Sequence, residues 1–205
     1  MEFQHRLRAA WGKFHELWPL LGKRDASLHK RLRLFDSTVT KAALWCSESW
    51  TLTVKEKKQL RTAQRDMLRR FAGPKRKPDE TYVDWIQRAT HAAECRARNA
   101  GSKRWLDLHL NSKWKWAAKL ADASHERLAR RVTFWRDSAW WSHQERGAAA
   151  YGVRPIRAKP GSMLRWEDDM RRFCEKLDSI PWQDLVMDRE RWFQESCSFR
   201  DFAGR

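Results

Sequence analysis

Turn-forming residues are scarce in this sequence. Eight Gly and six Pro among 205 residues are about half the ordinary share. A sandwich or barrel of short strands needs turn signals roughly every 8–12 residues, so this scarcity argues against such folds and for long helices. Cysteine is also sparse: the four residues stand at 46, 95, 174 and 197 with no CxxC pair. That spacing suits neither a disulfide framework nor a zinc ribbon, and predicts reduced, mostly buried thiols. The longest apolar run, Ala42 to Cys46, has five residues, against the ~18 that suggest a membrane span. The N-terminus lacks a signal-peptide core. It is amphipathic and carries Arg6, Arg8 and Lys13, but Glu2 and Glu16 argue against an organelle transit peptide, which is poor in acids. The expected location is the nucleus or cytoplasm.

Positive charge is in excess. The chain has 43 Lys and Arg against 26 Asp and Glu, a formal net charge of +17. Residues 1–80 carry 19 cations and 9 acids, residues 81–150 carry 13 and 7, and residues 151–205 carry 11 and 10. A basic front and a nearly neutral back predict that the first 150 residues meet a polyanion, most simply a phosphate backbone. Fourteen Trp argue against disorder, because disordered chains lack large residues to bury.

The apolar residues recur with helical period. Phe3, Leu7, Trp11, Phe14, Trp18 and Leu21 follow at intervals of 4, 4, 3, 4 and 3, one face of a helix ended by Gly22. Ser27 can cap a second helix running to about Cys46, with Leu28, Leu32, Phe35, Val39 and Ala42 or Ala43 inside. Thr53 and Glu56 form a capping box. The helix they open carries Val54, Leu60, Ala63 or Gln64, Met67, Leu68 and Phe71 on its inner face, and Gly73-Pro74 ends it. Thr81 caps a helix through about Asn99, stopped by Gly101. A further helix after Ser102 bears Trp105, Leu108 or His109, Trp116 and Leu120, with a possible break at Asn111-Ser112. Ser124 opens a short helix with Leu128, Val132 and Trp135. Met163, Trp166, Met170, Phe173 and Leu177 form another stripe, and Pro181 starts a last helix or pair with Leu185, Trp192 and Phe193. The expected fold is all-α with about eight helices. It divides into a basic bundle at 1–74, a helical Trp-rich basic segment at 75–136, a loop at 137–162 and a C-terminal helical segment at 163–205.

The chemical motifs are few. Trp166-Glu167-Asp168-Asp169 superficially resembles a polymerase aspartate pair, but a two-metal site draws acids from separate elements. Here both acids fall in the first turn of a predicted helix, where they oppose the macrodipole. His91 and Cys95 share a helix face at a spacing that suits two metal ligands, yet no second pair completes a tetrahedron. No GxxxxGK[ST] or GxSxG motif occurs. Nothing supplies a nucleophile with an adjacent base, so no catalytic residue, metal or cofactor is expected. Trp11, Trp18, Trp105, Trp116 and Trp166 fall on apolar faces and are expected in cores. Trp114 and Trp141 lie off those stripes, where base stacking is conceivable. The outer face of the third helix carries Lys57, Lys58, Arg61, Arg65 and Arg69, the expected contacts to a nucleic-acid backbone.

Three blocks carry a resemblance: Leu32-Arg-Leu-Phe-Asp-Ser-Thr-Val39, Ala43-Leu-Trp-Cys-Ser-Glu-Ser-Trp-Thr-Leu52 and Leu60-Arg-Thr-Ala-Gln-Arg-Asp-Met-Leu-Arg-Arg70. They resemble the region behind the catalytic palm of non-LTR (LINE-type) retrotransposon reverse transcriptases, whose pattern runs LRLFxxxVxPxxLYGxExWTLT and then LxxxQRRMLRxxxG. Weaker similarities follow in the family's order at Trp85-Ile-Gln-Arg88, Lys113-Trp-Lys-Trp-Ala-Ala118, Arg165-Trp-Glu-Asp-Asp-Met-Arg-Arg-Phe173 and Asp188-Arg-Glu-Arg-Trp192. The family's Pro is Lys41 here, its Tyr-Gly is Trp45-Cys46, and its basic Gly-Arg-Pro run is eroded to 157–164. The resemblance implies a thumb-like helical bundle at 1–74 and a C-terminal region that together hold an RNA/DNA duplex or hybrid. The catalytic palm and its aspartates would lie before Met1, so this chain would be inactive alone. The alternatives are a basic helical protein-interaction module and a decayed retroelement reading frame without selected function.

Overall fold

The computed structural model describes residues 2–124, 126–133, 165–177 and 180–204. Among them are eleven α-helices, one 3-10 turn and no strand, in agreement with the all-α class. The expected loop at 137–162, with Trp135, Trp141 and Met163, lies outside the described residues. The helix count exceeds eight because two expected elements are subdivided. The first stripe breaks into α1 (Glu2–Glu16) and α2 (Trp18–Leu21). Pro19 has no N–H to give, and its ring would clash with the preceding turn of a continuous helix. The break leaves Trp18, an expected core residue, 41% exposed. Phe3, Ala10 and Phe14 form the buried stripe of α1, and Leu21 is buried at the end of α2. Trp11 is half-buried.

The chain forms two compact units, Met1–Leu110 and Asn111–Ala203. In the first, α1 packs on α3 (Leu28–Ala43), and α4 (Val54–Ala72) packs along α5 (Tyr82–Asn99) and touches α1. Phe14, Phe35, Phe71 and Trp105 form the centre of the core. Phe35 stacks on Trp105 at 5.9 Å and lies 5.3 Å from Phe71. Such ring pairs add about 0.5–1.5 kcal/mol beyond the area they bury. Gln64 joins α4 to the start of α6 (Trp105–Asp122). It donates to the Lys103 carbonyl at 2.9 Å and accepts the Trp105 N–H at 2.8 Å, satisfying a donor that the new helix cannot use.

Several local signals operate as expected. Thr53 and Glu56 form the reciprocal capping box of α4, and Thr81 accepts the Asp84 N–H at the start of α5. Helix α5 ends in a Schellman motif: Ser102 N–H donates to the Ala97 carbonyl and Gly101 N–H to that of Arg98, both at 2.9 Å. Gly101 takes φ +83, a conformation that favours glycine. At the end of α4, a side chain on Gly73 would collide with the Arg69 carbonyl oxygen. Helix α3 stops at Ala43, short of Cys46, and Cys46 adopts a left-handed φ of 53°. Its position is where the resembling pattern has glycine. Val54 is exposed rather than inside, because it begins α4 before the helix reaches the core.

The second unit takes Asn111–Asp122 of α6, α7 (Leu128–Thr133), α8 (Asp168–Leu177), α9 (Trp182–Met187), α10 (Arg189–Gln194) and α11 (Ser196–Ala203). No break occurs at Asn111-Ser112. Pro181 stands just before α9. Trp114 is buried, stacked on Trp192 with centroids 3.6 Å apart and on Phe199 at 4.6 Å, and its indole N–H donates to the Trp192 carbonyl. It is therefore core and not a base-stacking platform, whereas Trp116, expected in the core, is half-buried. Trp166 is likewise only half-buried. Leu128 and Val132 on α7, and Phe193 on α10, are exposed rather than packed.

Candidate nucleic-acid interface

The buried stripe of α4 is Leu60, Ala63, Gln64, Met67, Leu68 and Phe71. At 100° per residue, Lys55, Lys58, Arg65 and Arg69 fall on the opposite half of the helix, with Arg61 at the edge of the apolar arc. The first unit that holds them carries 24 Lys and Arg against 12 Asp and Glu, so the face lies in a strongly positive field.

The structure divides the five expected contacts. Lys58 is exposed and Arg61 half-buried, and neither has an ion pair among the described residues. Lys57 is half-buried on the flank of the apolar stripe and is engaged within the chain. Arg65 and Arg69 meet intramolecular partners: Arg65 pairs with Glu94 of α5 at 2.6 Å, while Arg69 pairs with Asp66 at 2.8 Å and reaches the Thr90 hydroxyl at 3.3 Å. Packing of α5 thus draws the C-terminal half of the basic face partly into the fold. On the N-terminal two turns, Lys55 and Lys58 are exposed. Periodicity would have shown Lys55. Nothing local shows that Glu94, 29 residues onward, takes Arg65.

Beyond α4, Arg70 lies over the Trp11 ring at 5.1 Å. The 75–80 connection is held in place from α5. Arg88 pairs with both Glu80 oxygens at 2.6 and 2.7 Å and donates to the Lys75 carbonyl at 3.1 Å. The Arg88 hydrogen bonds, with smaller help from Lys77, pull the Glu80 carboxyl down to about 2. The Trp85 indole N–H donates to the Pro74 carbonyl at 3.1 Å.

The remaining motifs are structural in their contacts. Asp168 and Asp169 open α8 as expected. Asp168 accepts the Arg165 N–H at 2.6 Å, and Asp169 pairs with the buried Lys113 at 2.8 Å. The His91 Nε2 and Cys95 Sγ lie 3.6 Å apart, and no group of three metal-capable side chains occurs among the described residues. Only Cys174 of the four thiols is buried; Cys46 and Cys197 are exposed and Cys95 is intermediate. Burial of thiols therefore does not hold as the general expectation. No helix among the described residues is long and apolar enough to cross a membrane.

Over 198 residues the chain is 25% identical to a putative uncharacterized transposon-derived protein of Caenorhabditis elegans. The match covers 93% of this chain and 62% of that protein, so the chain spans less than two thirds of its relative's length. No protein-family model matches the sequence, and no solved structure matches it.

Proposed function

We propose that this chain is the thumb-like and C-terminal region of a retrotransposon reverse transcriptase, and that it holds a template–primer duplex by its backbone. The similarity to a transposon-derived protein supports the transposon origin. The order of the sequence blocks supports the thumb assignment. The observation that carries nucleic-acid binding is the outer face of α4, where Lys58, opposite the core, and Arg61, at the edge of that face, have no ion pair among the described residues. A row of cations on a rigid helix can displace condensed counterions without any base contact, giving affinity without sequence preference. Arg65 and Arg69 extend the same face and would exchange part of their internal pairing for phosphate, whereas Lys57 is engaged within the chain.

The test is fluorescence anisotropy with a labelled RNA–DNA hybrid between 50 and 200 mM salt. Lys58→Glu with Arg61→Glu should weaken binding and flatten the log–log salt dependence by about 1.8, two phosphates' worth. Exposed charges contribute little to stability, so the helical signal should persist. Arg171→Glu, Arg172→Glu and Arg191→Glu in the nearly neutral back should have a much smaller effect. Equal weakening by both sets would mean diffuse attraction and no site on α4. An acidic polypeptide competing as well as the hybrid would favour a protein partner.

A further inference from the structure

We infer that the 75–82 connection and the start of α5 form a second contact surface, for an unpaired stretch of nucleic acid, with Tyr82 as the platform for a base. The surface consists of residues separate from the α4 face and does not depend on it. Lys75, Arg76 and Lys77 are three successive exposed cations. Their backbone is ordered by contacts already described and by two more: Arg76 Nε donates to the Glu80 carbonyl at 2.9 Å, and the Lys77 N–H donates to the Glu80 carboxylate at 3.2 Å. Glu80 is neutralised by the bidentate Arg88. Asp79 is then the one acid of the connection without an ion pair among the described residues, so the cations prevail.

Tyr82 stands five residues after Lys77, and 59% of it is exposed. One side of it meets Trp85, with ring centroids 5.6 Å apart at 48°. Trp85 is itself anchored to Pro74, so the Tyr82 ring is supported from within. Val83 beside it is 62% exposed. At the start of α5 the Thr81 side chain takes the Asp84 N–H. A supported aromatic ring five residues beyond a pre-ordered row of cations, across the turn that the Glu80 N–H closes on the Lys77 carbonyl, fits a ligand that alternates phosphates with flat bases. A duplex offers its phosphates but keeps its bases stacked, so it uses the cations and not Tyr82. An acidic peptide would satisfy the cations and leave Tyr82 unused.

The test uses the full chain with labelled oligothymidylate and, in parallel, the RNA–DNA hybrid. Tyr82→Ala should lower affinity for the single strand by about tenfold, the scale of one lost stack, and leave the hybrid within twofold. Tyr82→Phe, which keeps the ring, should retain single-strand binding. Lys75→Glu with Lys77→Glu should flatten the single-strand salt dependence by about 1.4. The inference fails if the wild type does not bind oligothymidylate or if polyglutamate competes equally well. It also fails if Tyr82→Ala leaves single-strand binding within twofold or weakens both ligands alike. Lys58→Glu with Arg61→Glu, measured on the hybrid, reports separately on α4, so either surface can fail without the other.

Discussion

Asp169→Ala is expected to destabilise the second unit far more than loss of a surface ion pair would. The Lys113 side chain is 1% exposed, and its ammonium lies 2.8 and 2.9 Å from the two Asp169 oxygens. The ammonium also lies 5.4 Å from the Trp166 ring centroid. Removing the carboxylate leaves a buried ammonium without its direct ion pair, so most of its lost hydration is no longer repaid. Breaking such a pair costs about 3–5 kcal/mol, against about 0–1 for an exposed pair. Asp168 also favours the charged lysine while Arg172 opposes it, so the lower end, about 3 kcal/mol, is expected. At about 1.4 kcal/mol per decade, hydrogen exchange of the α8 amides should accelerate by about a hundredfold, provided they exchange by opening of the unit. Lys113→Met combined with Asp169→Leu should recover stability to within about 1 kcal/mol, because an apolar pair has no hydration to lose. A single-mutant cost below about 1 kcal/mol, or equal costs for the single and double variants, would refute this reasoning.

The same pair sets a pH dependence with a definite sign. Burial lowers the Lys113 pKa below its ordinary 10.5, outweighing the pull of Asp169. Between that lowered value and 10.5 the unfolded chain binds more protons than the native one, so this contribution to stability rises with pH. Cys174 acts oppositely. Burial pushes its thiol from 9.0 up to about 11, so the unfolded chain ionises first and stability falls across that window. In a Cys174→Ala background the rise should appear alone in urea midpoints measured from pH 7 to 10.5. Asp169→Asn should start that rise at lower pH.

Two further predictions concern the first unit. Cys46→Gly should stabilise it by about 0.5–1 kcal/mol, because a left-handed side chain costs about 1–2 kcal/mol, of which glycine's freer unfolded state returns part; an unchanged or lower urea midpoint would count against this. Arg31 donates to the carbonyls of Leu21, Ala26 and Phe71 at 3.1, 3.1 and 2.9 Å, joining the ends of α2 and α4, so Arg31→Ala should cost about 3 kcal/mol in thermal or urea unfolding. Arg31→Lys should recover only part, since a compact ammonium lacks the guanidinium fork, and full recovery would show that charge alone suffices.

Sequence by itself determined the features whose causes are local. Caps at Thr53 and Thr81, the stop at Gly101, the acids opening α8 and the single apolar stripes of α3 and α4 depend on residues within a turn or two of one another. Helix period and cap chemistry therefore reveal them. Tertiary structure decided everything that depends on a distant neighbour. Helix α6 buries adjacent positions, 105 and 106, 109 and 110, 113 and 114, so its buried surface is wider than one stripe and periodicity selects the wrong tryptophan. Trp114 is core because Trp192 lies 78 residues away in sequence and against it in space. Lys113 looks like a solvated charge until Asp169, 56 residues onward, meets it. The basic face of α4 is visible in the sequence as charge at helical spacing. Which of its cations remain open to a partner depends on where α5 packs, and that placement comes from long-range burial, which has no local code.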